Sequence, residues 1–225
     1  MKTSGALFLR AQEEIIKLTD EKLYEERYRM EEVWYSKQVI EMLHYETAKD
    51  RKIKNILDIG AGFGTMTLYC TYLYPDANIY SLDMVRKNPV EGVKHEIMDI
   101  EYDELPRSWP KKFDIIIMTE VLEHLKHNPI TTLKKIHDIL PNNGVLFLST
   151  PDAKEWGRVT EHYNHIGEMS EPDPENRVDL DTHVYQYSEG EVLYIFDKSG
   201  FKVDQMHFST PPYWGRHMQF KLLKK

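Results

Sequence analysis

A chain of 225 residues with 41% hydrophobic and 29% charged side chains is long enough to bury its own core and too apolar to be collagenous, mucin-like or wholly disordered. Its 29 basic and 37 acidic residues leave a net charge of −8, and its one cysteine, Cys70, leaves no intrachain disulfide, a usage expected of a protein in a reducing cytoplasm. No apolar run approaches the ~18 residues of a membrane span, and Ala6–Leu9 falls short of the about 7–15 apolar residues of a signal-peptide core, so neither a membrane nor export is expected.

Residues 1–50 read as helix. Apolar and aromatic residues recur at spacings of three and four from Glu13 to Leu23 and from Leu23 to Tyr45, with no proline or glycine between Ala6 and Lys54. The aromatics Tyr24, Tyr28, Trp34, Tyr35 and Tyr45 interleave with Glu and Arg. They fit two roles for this helical cap: packing against the rest of the domain, or a lid over a pocket. The remaining residues, 51–225, are expected to form the main domain. The period changes at Ile53. Lys54–Ile59 is a short buried strand, Thr65–Tyr74 a helix stopped by Pro75, and Ala77–Asp83 a second strand. Gly92–Met98 and Phe113–Met118 are the third and fourth strands. Pro129–Leu140 is an amphipathic helix, Pro141–Gly144 a turn, and Val145–Ser149 the fifth strand. Strands alternating with helices, several apolar on both faces, indicate a parallel α/β sheet.

Regularity lapses over about 151–187, an expected insertion on the substrate side. Pro151 to Gly190 holds ten acids and three bases, so nearly all the excess acidity lies in one segment and generic nucleic-acid binding is disfavoured. Asp173, Glu175, Asp179 and Asp181 read as a solvated run. Trp156, His162, Tyr163, His165 and Tyr185 are expected over an acceptor pocket, with His162 and His165 as spare bases. Ser188–Glu191 has capping-box spacing ahead of a helix to Lys198. Phe201–Phe208 and His217–Leu223 read as closing strands, and Trp214 and His217 as structural residues.

Two motifs carry chemistry. In Ile56-Leu57-Asp58-Ile59-Gly60-Ala61-Gly62-Phe63-Gly64, an apolar strand runs into a glycine-rich turn and a helix. Such a turn lets a ligand approach the backbone beside free helix N–H groups. Asp83 ends the second strand, where a carboxylate can accept ribose hydroxyls. Together they point to an adenosine-containing cofactor. A dinucleotide fingerprint would want glycine where Thr65 stands, so a dehydrogenase is the weakest reading. Asp99, after the third strand, can accept from an adenine amino group. The second motif, Thr119-Glu120-Val121-Leu122-Glu123-His124-Leu125, follows the fourth strand. If a helix begins there, Glu120, Glu123 and His124 share a face while Val121, Leu122 and Leu125 face the core. His124 is then either a general base or, with the two acids, a ligand to a divalent metal.

From about Lys52 to Lys225 the chain resembles the class I S-adenosylmethionine-dependent methyltransferases. The resemblance implies a three-layer, Rossmann-like α/β sandwich with a mostly parallel seven-stranded sheet and an antiparallel closing strand. It implies S-adenosylmethionine as cofactor and S-adenosylhomocysteine as product. The turn Gly60, Ala61, Gly62 and Gly64 would pack on the methionine part with Asp58. Asp83 would hold the ribose, Met84 flank the adenine, and Asp99 and Ile100 bind its edge, with Glu120 at the reacting end. The E-x-x-E-H element is similar to that of small-molecule O-methyltransferases acting on ubiquinone precursors. It is also similar to that of enzymes methylating the 2′-hydroxyl at small-RNA 3′ ends, where a second histidine completes a metal site. Here that histidine would be His183, giving a metal set of Glu120, Glu123, His124 and His183. The expected reaction is methyl transfer to a hydroxyl of a small polar acceptor (a sugar, sugar nucleotide or phenol). N-methylation of an amine, metal-dependent RNA methylation and a catalytically idle cofactor-binding scaffold are the alternatives. A homodimer joined through the helical arm is compatible with the pattern.

Overall fold

The computed structural model describes residues 3–49, 51–86, 88–157, 162–180, 182–212 and 215–225. Asp181 and Trp214 therefore lie outside the described residues. Seven strands form one sheet in the order β3-β2-β1-β4-β5-β7-β6: β1 (Asn55–Ile59), β2 (Asn78–Asp83), β3 (Lys94–Ile97), β4 (Ile115–Thr119), β5 (Val145–Pro151), β6 (Phe201–Ser209) and β7 (His217–Lys224). The first five run parallel; β7 pairs antiparallel with both β5 and β6. The expected sheet, including its closing pair, is thus present, with strand ends within about two residues of the sequence reading.

The central strands are apolar because both faces are covered. Ile56, Leu57, Ile115, Ile116, Ile117, Leu146 and Phe147 are all buried, as a sheet sandwiched between helices requires. The cores on its two faces differ in origin. One is closed by α5 (Pro129–Asp138) and α7 (Glu189–Lys198), through Leu133, Ile136, Ile195 and Phe196. The other is closed by α4 (Thr65–Leu73) and by the N-terminal helices, through Phe8, Ile15, Val39 and Leu43. Residues 3–49 thus share a core with the sheet as well as bordering the site.

The N-terminal segment is more broken than its periodicity suggests. α1 (Ser4–Thr19) ends at Asp20, which takes a left-handed φ of 51° and returns its N–H to the Ile16 carbonyl. A π-helical turn, Tyr24–Tyr28, then leads into α2 (Arg29–Tyr35), and Ser36 separates α2 from α3 (Lys37–Glu46). α7 carries the expected capping box of Ser188 and Glu191. Adjacent β1 and β4 are where the strand order reverses, so a crevice opens at their C-terminal ends, the usual ligand position in such a sheet.

Candidate active site

A cavity of about 420 Å³ occupies that crevice, within the usual range for a small-molecule site. Three segments from the strand ends line it: the glycine turn after β1, Asp83 to Arg86 after β2, and Glu120 to Lys126 after β4. The N-terminal arm closes one side with Arg27, Tyr28, Glu31, Glu32 and Tyr35. Its grip is aromatic: Phe63 of the glycine turn packs on Tyr24 (4.9 Å) and Tyr28 (5.4 Å), with Arg86 over its ring.

The glycine turn follows from its backbone. Gly60, Gly62 and Gly64 have φ of +69°, +53° and +91°, a region that penalises side chains. A Cβ at Gly60 would stand 2.3 Å from Val121 Cγ2, whereas one at Gly62 would meet nothing within 4 Å. Gly60 is needed for strand-end packing, and Gly62 leaves an open cradle that an extended ligand can fill. Gly64 faces Asn88 and Pro89 instead of the cavity.

The carboxylates expected to bind a cofactor differ in state. Asp58 is 1% exposed under α4 and accepts from Thr67 Oγ1 at 2.6 Å; burial pushes its pKa up to about 7. Asp83 is held by backbone N–H groups of Gly62 (2.9 Å), Val85 (2.9 Å) and Arg86 (2.8 Å). Asp99 forms an ion pair with Lys126. Met84, Asp99 and Ile100 line one end of the cavity, and the cradle, Asp83 and Asp99 together fit an adenosine with an amino-acid tail.

No helix starts at Glu120, so the expected shared face does not form. Only a 3-10 turn covers Leu122–His124, and Glu120 itself has a left-handed φ of 52°. Leu122 and Leu125 are buried as expected, and Val121 packs at the core margin. Glu120 turns to β5 and β7, where its carboxylate accepts from Ser149 Oγ at 2.7 Å and lies 2.9 Å from His217 Nδ1. His217, expected to be structural, is 6% exposed, lines the cavity and is flanked by the rings of Trp156 (5.4 Å) and Tyr35 (6.1 Å). Its only mark in the sequence was its place at the head of the closing strand, on the same edge as the β4 and β5 ends.

Glu123, His124 and His183 form the cluster instead, with one donor atom of each within 4.8 Å of the others. The reason is local: Val184 and Tyr185 donate their N–H groups to the Glu123 carbonyl (2.8 and 3.1 Å), which seats His183 edge-on to His124 at 4.8 Å. Glu123 is fully buried. Desolvation, reinforced by Glu120, raises its pKa well above the carboxylate range. Its Oε2 accepts from Thr150 at 2.9 Å, while Oε1 has no hydrogen-bond partner among the described residues. An orphaned buried oxygen beside two imidazoles fits a divalent cation. Partial burial lowers the His183 pKa, favouring the neutral ring.

Of the other insertion residues, Trp156 reaches the cavity. Tyr163 donates to the Lys126 carbonyl at 3.0 Å, His162 and His165 are exposed, and Tyr185 is buried in the core, donating to Glu191. These four are not the expected roof. Lys126 was missed by the sequence reading because its burial depends on Asp99 and Glu101 arriving from β3.

Comparison with known proteins agrees with this architecture. A family model described as a methyltransferase domain matches residues 27–206. The (S)-coclaurine N-methyltransferase of Thalictrum flavum subsp. glaucum is 26% identical over 137 residues, 56% of this chain and 36% of the relative. A ubiquinone biosynthesis O-methyltransferase of Pseudomonas aeruginosa is 29% identical over 105 residues, 43% of this chain and 44% of the relative. The match thus spans less than half the length of these two relatives. A Leishmania major S-adenosylmethionine-dependent methyltransferase superposes with a TM-score of 0.63 at 17% identity, covering 96% of this chain and 82% of that one. The 1,6-didemethyltoxoflavin-N1-methyltransferase of Burkholderia thailandensis, solved with its substrate and S-adenosylhomocysteine, gives 0.61 at 15% identity over 100% of this chain and 92% of that one. With its strand order, glycine turn and family match together, the chain belongs to the methyltransferase-domain family of class I S-adenosylmethionine-dependent methyltransferases.

Proposed function

We propose that this protein transfers the methyl group of S-adenosylmethionine to a hydroxyl of a small polar acceptor, at the histidine-lined end of the cavity. The observation that carries the reading is that His124 and His183, in contact at 4.8 Å, and His217 all line the crevice that begins at the glycine turn. The bound cofactor supplies an electrophilic methyl group on its sulfonium. The Gly60–Gly64 turn, Asp58, Asp83, Met84, Asp99 and Ile100 hold it. Tyr28 and Tyr35 of the arm exclude water from the same space. His124 takes the acceptor hydroxyl's proton, a task suited to an imidazole near neutral pH. Neutral His183 beside it can donate its ring N–H to the oxygen of that hydroxyl. Catalysis then rests on holding the hydroxyl in line with the methyl group. The O-methyltransferase match supports a hydroxyl acceptor; the N-methyltransferase match keeps amines in the test.

The test is release of S-adenosylhomocysteine over a panel of sugars, sugar nucleotides, phenols and amines. His124→Ala is expected to lower turnover by about 10²-fold or more and to leave calorimetric affinity for S-adenosylhomocysteine unchanged. Turnover like wild type removes His124 from the mechanism, and turnover of amines alone replaces the hydroxyl reading. The orphaned Glu123 Oε1 supports a second reading, in which Glu123, His124 and His183 hold a divalent cation that would lower the acceptor's pKa. Titrating Mg²⁺, Mn²⁺ and Zn²⁺ into protein saturated with S-adenosylhomocysteine separates the two. Binding lost in Glu123→Ala and His124→Ala supports the metal, and no binding in wild type removes it.

A further inference from the structure

His217 lines the cavity outside the cluster of Glu123, His124 and His183, and the proposed proton transfer leaves it without a role. It opens β7, and the residue before it is clamped. The Arg216 carbonyl accepts from Asp152 N at 2.9 Å and from Trp156 Nε1 at 3.1 Å, while the Arg216 guanidinium pairs with buried Asp152. Behind His217 Nδ1 stands Glu120 Oε2 at 2.9 Å. Glu120 reaches that position through a left-handed φ of 52°, a conformation penalised in any residue with a Cβ. It is fixed there by two bonds to Ser149: its N–H donates to the Ser149 carbonyl at 3.0 Å, and its Oε1 accepts from Ser149 Oγ at 2.7 Å. The approach to Nδ1 is not aligned along the ring N–H; such pairs often align only when substrate is bound.

The other ring nitrogen is the informative one. Nε2 makes no hydrogen bond to a described residue and keeps access to the cavity that His217 lines. A carboxylate beside Nδ1 holds the ring proton there, which leaves Nε2 with a lone pair. The rings of Trp156 and Tyr35, centred 5.4 and 6.1 Å away, flank the imidazole. An acceptor atom in such a place calls for a donor on the ligand, because a ligand without one leaves it unpaired. We infer that His217, positioned by Glu120, is a specificity-determining residue whose Nε2 accepts a hydrogen bond from a second hydroxyl or amino group of the methyl acceptor. His124 meanwhile takes the proton of the hydroxyl being methylated. The acceptor class is then a molecule with two such donors, a polyol or an amino alcohol, and a lone alcohol is a poor substrate. The inference rests on the proposed transfer to a hydroxyl and narrows it.

The test measures kcat/KM for methyl glucoside, catechol and 2-aminophenol. Each is compared with counterparts in which one hydroxyl or the amino group is replaced by hydrogen or by fluorine, neither of which can donate. Wild type is expected to prefer its best parent compound over both counterparts by about tenfold or more, the scale of leaving one polar group unpaired. His217→Ala should bring parent and counterparts within about twofold of each other. His217→Phe, which keeps a ring between Trp156 and Tyr35, should do the same and serves if the alanine variant does not fold. Equal turnover of parent and counterparts by wild type overturns the inference. So does a loss in the variants that is uniform across all compounds, because a merely structural histidine would give that result. Turnover of no hydroxyl compound, here or in the wider panel, refutes the hydroxyl reading instead.

Discussion

The glycine turn makes two separable demands, and two single-methyl additions distinguish them. At Gly62, alanine would keep a φ of +53° and meet no atom within 4 Å, so the stability cost is the left-handed backbone alone, roughly 1–2 kcal/mol. At Gly60, φ is +69° and the new Cβ would lie 2.3 Å from Val121 Cγ2, against an ordinary carbon contact of about 3.5–4.0 Å. Overpacking adds roughly 1–3 kcal/mol, for a total of about 2–5 kcal/mol. In a domain of this size each kcal/mol moves Tm by about 2–4 °C. Gly62→Ala should therefore melt about 2–8 °C below wild type and Gly60→Ala about 4–20 °C below. Affinity runs the other way. The Gly62 methyl group projects into the cradle and should weaken S-adenosylhomocysteine by about tenfold or more. Gly60→Ala/Val121→Ala should relieve the clash but keep the backbone cost. Scanning calorimetry and ligand titration read both quantities. Full affinity in Gly62→Ala would refute the cradle, and equal melting of the two variants would refute the distinction.

Glu32 offers a pH test. It is buried among Tyr24, Thr65 and Gln12, and burial raises its pKa from 4.5 to about 7. Between those values the folded state keeps a proton that the unfolded chain releases, so this contribution is complete below about pH 4.5 and lost as pH rises to about 7. The difference is of order 3 kcal/mol. Urea denaturation across that range should give a flatter pH dependence for Glu32→Gln than for wild type, and the same slope in both would show that Glu32 ionises normally. His217→Ala should lower methyl transfer while leaving S-adenosylhomocysteine affinity intact, because His217 lies with Glu120 at the acceptor end; loss of cofactor binding instead would place it in a structural role.

Much of this molecule follows from local rules. The apolar β1 and β4, the glycine turn, the capping box at Ser188 and the closing strands are each set by periodicity or backbone chemistry within a few residues, which is why the sheet and the glycine turn that lines the crevice were legible in the sequence. The histidine-lined end was not. Whether Glu120 meets Glu123 or His217 depends on a left-handed residue after β4 and on β7 lying beside β5. Whether His183 reaches His124 depends on two backbone bonds to the Glu123 carbonyl from 61 and 62 residues away in the chain. Lys126 is buried only because Asp99 and Glu101 come to it from the far side of β1 and β2. By itself, the sequence determined the strands, their order of appearance and the glycine cradle, because these depend on neighbouring residues. The tertiary structure alone decided which acids and imidazoles share a charge or a proton, because such pairs form between distant segments and their strength depends on being buried together.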